Sequence, residues 1–326
     1  MRRITAFYLL LAAIPACVIA GEDKGFDTTG LPKATTTATE APAPKEYPRA
    51  DALVSTENLA KLIAAKDPKL VLIDARNDVD YIAAHIPGAR NLPSDSLQDP
   101  AAAPYFMISP EALKAVCAEL GINADSNVVI YDEDDGRLAA RVWFTLHARG
   151  HDHVAMLDGG AGKWHDERRA WIPELPPRAA PGTFEPAATL RGAATFDELP
   201  QFRTRGTTLG RMPALALIDA RAPAEYSGED VRGKVGGHIP GAANIEWSNL
   251  MSGAERSRVW RSPPELHALL RVAGMEKDQK ICLYDQAGGR SAHLYFSLWL
   301  MGFDHAFNYI GGWREYVKKD GIEIEK

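Results

Sequence analysis

The sequence predicts an α/β protein made of two similar domains, each with a parallel β-sheet covered by helices on both faces. Five short motifs from the first half of the chain return in the same order in the second half. Within each half, short runs that are apolar on both faces alternate with amphipathic helical segments, which is typical of buried parallel strands. The length of 326 residues also fits two domains, at about 100–200 residues each.

The chain begins with a segment that predicts export, residues 1–20. Arg2 and Arg3 form a basic start, Phe7–Ala16 is an apolar run, and small residues precede Gly21. The run is too short to cross a bilayer as a helix, so it indicates a signal peptide cleaved before Gly21. We therefore expect a periplasmic or extracellular protein without a membrane span.

The three cysteines indicate neither a disulfide framework nor a reactive thiol. Residues 14–17 resemble a lipoprotein cleavage box, so a lipid anchor at Cys17 is the alternative to simple cleavage. Cys117 lies on the apolar face of a predicted helix, and Cys282 lies in an apolar strand. Both are expected to be buried in different domains, where they cannot pair with each other.

The remaining chain divides by composition. Residues 21–48 are rich in Thr, Ala and Pro and predict a disordered tether. Residues 49–171 form the first domain, the Pro-rich residues 172–188 form a linker, and residues 189–326 form the second domain.

The repeated motifs place the strands and helices of both domains. The pairs are LIDAR at 72–76 and 217–221, AHIPGARN at 84–91 with GHIPGAAN at 237–244, SPEAL at 109–113 with SPPEL at 262–266, VVIYD at 128–132 with ICLYD at 281–285, and LDGG at 157–160 with YIGG at 309–312. Each Ser-Pro pair predicts a helix start, with Ser as the N-cap and Pro at the first helical position. The offset between the copies grows from 145 to 153 residues after the first motif, so the second copy carries an insertion around residues 227–236.

Two loops stand where parallel sheets form their sites, beyond the carboxyl end of a strand and before a helix. The second loop is DQAGGR, residues 285–290, where glycines and a helix N-terminus favour an anion held by backbone N–H groups. Its candidate anion-binding residues are Gln286, Ala287, Gly288, Gly289 and Arg290. The first loop is DEDDGR, residues 132–137, whose four carboxylates would repel an anion. The alternative for either loop is a plain strand-to-helix turn.

These residues resemble a known family. The second half is similar to the rhodanese family of sulfurtransferases in an ordered set of motifs: LIDAR, EY, GHIPGAAN and a loop ending in GGRS. Two linked copies resemble the tandem members of that family, the thiosulfate and 3-mercaptopyruvate sulfurtransferases. The resemblance covers about residues 50–326. It implies a five-stranded parallel sheet in each domain and a site at the domain interface, built mainly by the second domain. It also implies a loop cysteine that takes up a sulfane sulfur as a persulfide and passes it on.

The sequence departs from this family at the nucleophile. The resemblance places the reactive cysteine at residue 285, which is Asp285, and the first loop starts with Asp132, as is common in the inactive first domain of tandem members. A carboxylate is a hard base and does not replace a polarisable thiolate in attack on sulfur. Asp285 would also occupy the loop amides itself, so we expect this catalytic position to be inactive.

Two functions remain open from the sequence, and whether the protein is an enzyme stays open with them. The first is a degenerate, exported rhodanese-like protein that binds a small sulfur-containing anion or a thiol acceptor protein at residues 285–290. The alternative is an active thiosulfate or 3-mercaptopyruvate sulfurtransferase that uses a non-standard route.

No cofactor, metal or nucleic acid is expected. The net charge is −6 and no basic stripe is interleaved with aromatic residues. The sequence His-Asp-His at 151–153 has a counterpart, Phe-Asp-His, at 303–305, which favours a turn over a metal site.

Overall fold

The computed structural model describes residues 43–99, 107–133, 135–202 and 215–326. The predicted signal peptide, with Cys17, lies outside these residues, as does most of the predicted tether. Within the described residues no helix is both long enough and apolar enough to cross a membrane.

The first domain is a sheet of five parallel strands in the order β1-β5-β4-β2-β3. Its elements are β1 (Leu53–Val54), α1 (Thr56–Ala65), β2 (Leu70–Asp74), α2 (Asp78–Ala83), β3 (Arg90–Asn91), α3 (Pro110–Leu120), β4 (Asn127–Tyr131), α4 (Arg137–Ala148), β5 (Val154–Leu157) and α5 (Gly160–Asp166).

The second domain repeats this sheet in the order β6-β12-β11-β7-β8, again all parallel. Its elements are β6 (Ala193–Ala194), α6 (Leu199–Phe202), β7 (Leu215–Asp219), α7 (Pro223–Ser227), β8 (Ala243–Asn244), β9 (Met251–Ser252), β10 (Val259–Trp260), α8 (Pro263–Val272), β11 (Lys280–Tyr284), α9 (Gly289–Leu300), β12 (Ala306–Tyr309) and α10 (Gly312–Tyr316). Strands β9 and β10 form a separate antiparallel pair. The predicted fold class, two domains with five-stranded parallel sheets, is therefore confirmed.

The repeated Ser-Pro pairs begin helices as their chemistry requires. The Ser109 side chain accepts a hydrogen bond from the Ala112 N–H, and Pro110 is the first residue of α3. In the second domain, Ser262 and Glu265 form a capping box at the start of α8. Each cap satisfies backbone N–H groups that have no partner within the helix.

The domains meet along α4 and α9, the two helices that follow the candidate loops. The Trp143 ring meets Phe296 edge-on at 4.9 Å, and Phe144 meets Tyr295 at the same distance. These rings belong to one apolar cluster that contains residues of both domains. Because each interface helix starts at a candidate loop, both loops lie at the domain boundary.

The linker packs against the first domain. Ile172 pairs with His85 through two backbone hydrogen bonds, and Phe184 is buried. The chain between the sheets is therefore fixed to the first domain for much of its length.

Candidate functional site at the second strand-to-helix loop

Asp285 stands at the base of the loop between β11 and α9 and is only 2% exposed. Its carboxylate accepts hydrogen bonds from the N–H groups of Ala287 at 3.0 Å, Gly288, and Arg290 at 2.7 Å. The Ser291 hydroxyl, in the first turn of α9, donates a further bond at 3.3 Å. The Asp285 side chain thus occupies the helix N-terminus, and the loop donors that would receive an external anion are bound to it.

Glycines at two points let the loop adopt this path. Gly288 is the N-cap of α9 and has φ +90°, a conformation that side chains strongly disfavour. Gly312, from the YIGG motif, has φ +57°, and a Cβ on it would lie 2.6 Å from the Asp285 carbonyl oxygen. The glycines of the repeated Gly-Gly motif therefore allow the start of α10 to pack directly against the loop backbone.

The Arg290 guanidinium is paired with a neighbouring carboxylate. Its guanidinium pairs with the Glu225 carboxylate, with Nη2 donating to Oε1 at 3.0 Å, and Glu225 is 1% exposed. The Arg290 Nε lies 3.7 Å from the Asp285 carboxylate, and Arg232, in the insertion, lies 3.7 Å from Glu225. The arginine expected to attract a ligand is thus part of an ion-pair network with Glu225 and Asp285.

The other loop residues are divided between the two sides of the loop. Gln286 donates from its side chain to the Arg232 carbonyl at 3.1 Å, so it packs on the insertion. Ala287 and Gly288 line a small cavity together with Arg141, which belongs to α4 of the first domain. Burial lowers the pKa of Arg141, and the nearby Asp285 carboxylate opposes that shift.

The first domain has a related loop with different spacing. Asp132 accepts hydrogen bonds from the N–H groups of Gly136 at 3.0 Å, Leu138 at 2.7 Å and Ala139 at 3.1 Å. The N-cap of α4 is the fourth residue after its Asp, whereas the N-cap of α9 is the third, so this loop is one residue longer. Burial, with the charge of Asp135, raises the pKa of Asp132 to about 7.

Neither cysteine of the described residues lies in a loop or reaches solvent. Cys117 and Cys282 are 0% exposed and make no disulfide. Burial raises the pKa of Cys117 to about 12 and raises that of Cys282 well above its usual range. Both thiols therefore stay protonated at neutral pH, and a neutral thiol is a poor nucleophile.

The remaining polar motifs have structural partners. Asp152 pairs with Arg191 at 2.9 Å, and the neighbouring His151 binds a backbone carbonyl. Over residues 43–99, 107–133, 135–202 and 215–326, no group of three or more His, Cys, Asp or Glu side chains could hold a metal ion.

The arginines of both LIDAR motifs form buried ion pairs, Asp74 with Arg76 at 2.7 Å and Asp219 with Arg221 at 2.6 Å. They join the end of each central strand to the loop that follows.

The sequence does not predict two of the groups that lie beside the loop. Glu225 belongs to the EY motif that contributed to the resemblance, and nothing else in the sequence indicates that it lies near the loop. No sequence pattern indicates Arg141, because only the packing of α4 against the second domain brings it to Ala287.

The rhodanese-like domain model matches this chain twice, over residues 55–167 and 206–319. The chain belongs to the rhodanese family. It is 32% identical to the sulfur carrier protein TtuD of Thermus thermophilus, over 86% of this chain and 98% of that protein. It is 33% identical to a thiosulfate sulfurtransferase of Azotobacter vinelandii, over 79% of this chain and 92% of that protein.

Solved structures of two other proteins superimpose on this one. The wild-type structure of EanB matches with a TM-score of 0.72 and 24% identity, over 85% of this chain and 70% of that chain. The structure of YnjE matches with a TM-score of 0.72 and 21% identity, over 86% of this chain and 69% of that chain. At these identities the likeness concerns the fold alone.

Proposed function

We propose that this rhodanese-like protein is exported and does not form a persulfide, and that its second loop serves binding rather than sulfur transfer. The observation that supports this most directly is the Asp285 carboxylate, which accepts hydrogen bonds from the Ala287, Gly288 and Arg290 amides. A carboxylate held at this place supplies the negative charge that a cysteine persulfide would otherwise bring to the loop.

Any ligand at this loop would have to be recognised by neighbouring side chains. The candidate ligands are a small sulfur-containing anion and a thiol acceptor protein, the classes that follow from the family. Arg141 lines the small cavity beside Ala287 and Gly288, so a negative group that entered this cavity would lie beside a cation.

A non-standard active route finds no support in the cysteines. Cys282, the cysteine nearest in sequence to the loop, lies on β11. It is buried in an apolar cluster that also contains Leu217 of β7 and Tyr309 of β12. Its thiol is 0% exposed, so neither a sulfur donor nor an acceptor can reach it without local unfolding.

We expect the purified chain to show little or no sulfur transfer from thiosulfate or 3-mercaptopyruvate to cyanide, because no thiol starts either loop. A thiosulfate:cyanide assay with mass analysis of the intact protein measures this, and Cys282→Ser should leave the result unchanged. Robust turnover that Cys282→Ser abolishes would show that the buried thiol is the nucleophile after all.

We also expect the mature chain to begin at Gly21, or at a lipidated Cys17, and to lie outside the cytoplasm. The basic start and apolar run of residues 1–20 support this. N-terminal sequencing of the protein from its native host after cell fractionation would measure it. Met1 retained on a cytoplasmic protein would contradict the proposal.

A further inference from the structure

A larger cleft lies in the first domain, away from the loop described above. It has a volume of about 500 Å³ and extends from the first loop to α2, α5 and a segment of the second domain. This volume is within the range of sites for small molecules, about 300–1,000 Å³. None of the features assigned to the second loop accounts for it.

The first domain differs from the second at this cleft in two ways: Ala161 stands where the second domain has Trp313, and the insertion is absent. The Ala161 N–H binds the Asp132 carbonyl, just as the Trp313 N–H binds the Asp285 carbonyl, so Ala161 and Trp313 are equivalent. Trp313 is buried and donates its indole N–H to the carbonyl of Val235, in the insertion. Trp313 stacks on Arg221 at 4.7 Å as Trp171 stacks on Arg76 at 4.8 Å, so each domain places an indole on its LIDAR arginine. The insertion that packs on Trp313 has no counterpart in the first domain, where the cleft is open.

One wall of the cleft is a rigid platform of Arg76 and Trp171. The guanidinium packs over the indole at 4.8 Å and donates to the Asp74 carboxylate and the Ala84 carbonyl. Its Nη1 lies 3.1 Å from the Glu133 carboxylate, whose side chain is 63% exposed. Arg76 Nη1 donates to Glu133 Oε2 only, so within the described part of the chain the second oxygen of this exposed carboxylate faces the cleft side without a protein donor.

The other walls of the cleft carry both negatively and positively charged side chains. Asp80 of α2 and Asp166 of α5 line the cleft, as does Arg256 from the second domain. Among the residues that the structure describes, the Arg256 side chain has no hydrogen-bond or ion-pair partner. Its carbonyl oxygen lies so close to Gly162 that a Cβ there would be 1.5 Å away, which holds Arg256 at the cleft.

We propose that this cleft binds a small zwitterion, a free amino acid. Its ammonium group would face the carboxylates of Glu133, Asp80 and Asp166, its carboxylate would face Arg256, and its side chain would pack against Trp171. A ligand with one charge would leave either the carboxylates or the arginine without a partner, and charged hydrogen bonds are the stronger ones. Asp285 takes no part, so this site is independent of the function proposed above.

The test compares three probes of one shape by isothermal titration calorimetry on the full-length chain. L-phenylalanine carries both charges, L-phenylalaninamide only the ammonium, and N-acetyl-L-phenylalanine only the carboxylate. We expect the free amino acid to bind about tenfold more tightly than either single-charge probe. Equal affinity for the amide or the acetyl compound, or no binding of any probe, would overturn the proposal.

Variants assign each charge to its partner. Arg256→Ala should weaken binding of phenylalanine and leave that of its amide unchanged, whereas Glu133→Gln should leave the N-acetyl compound unaffected. Arg258→Ala, two residues along the same segment and outside the cleft, is the matched control and should change neither. Equal loss for phenylalanine and its amide in Arg256→Ala would mean that the arginine acts on structure rather than on the ligand carboxylate.

Discussion

Replacing Asp285 with cysteine is expected to turn the second loop into a sulfur-accepting site. The Ala287, Gly288 and Arg290 amides that now bind the carboxylate would face the new thiolate, at the N-terminus of the 12-residue helix α9. Amides and a helix N-terminus favour the thiolate and bring the pKa of such cysteines to about 3.5–7.5. The variant should therefore carry a reactive thiolate at neutral pH.

The persulfide is the direct measurement for Asp285→Cys. After thiosulfate treatment, the intact mass should rise by about 32 Da, one sulfur atom, and cyanide should remove it while thiocyanate appears. The pH dependence of alkylation gives the thiol pKa separately. Asp285→Ser, which also removes the carboxylate but supplies no thiol, should show neither change.

Asp132→Cys is the matched variant in the first domain. It keeps amide donors from Gly136 and Leu138, but the carboxylates of Glu133 and Asp135 remain beside the loop. Nearby negative charges raise a thiol pKa and repel anionic donors, so this variant should take up much less sulfur. If Asp285→Cys folds normally yet forms no persulfide, the second loop has lost more than its nucleophile, and a binding role unrelated to sulfane sulfur gains support.

The fold could be predicted because each repeated motif carries its own physical signal. Ser109 and Pro110 specify a helix start, and the apolar runs specify strands covered on both faces. Two copies in one order then require two similar domains. The resemblance supplied the number of strands, which alternation alone does not determine.

The site was less predictable because its decisive contacts join residues that are distant in sequence. The loop of residues 285–290 and the importance of Asp285 follow from local spacing. The direction of the Arg290 side chain does not, since it depends on Glu225, 65 residues earlier. The aligned Gly-Gly motifs make Ala161 and Trp313 equivalent, but the cleft itself also needs Arg256, which lies far away in sequence and reaches Gly162 only in the folded chain.

Arg221→Met is expected to destabilise the second domain by about 3–5 kcal/mol, because it leaves a buried carboxylate without its cation. The Arg221 Nε and Nη2 groups bind both oxygens of Asp219 at 2.6–3.0 Å, and the two side chains are 3% and 0% exposed. Arg221 also donates to the Gly237 carbonyl and stacks on Trp313 at 4.7 Å. Its loss therefore affects the strand end, the GHIPGAAN motif and α10 together.

Urea unfolding measures this effect, with Lys61→Met as the matched control. Lys61 pairs with Glu57 on the surface, with side chains 67% and 69% exposed, so its removal should not change the unfolding midpoint measurably. The double variant Asp219→Asn/Arg221→Met should recover part of the lost stability, because a neutral amide is far less costly to bury alone than a carboxylate. If Arg221→Met were as stable as Lys61→Met, the remaining donors around Asp219 would suffice to hold its charge, and the LIDAR arginine would serve another purpose than stability.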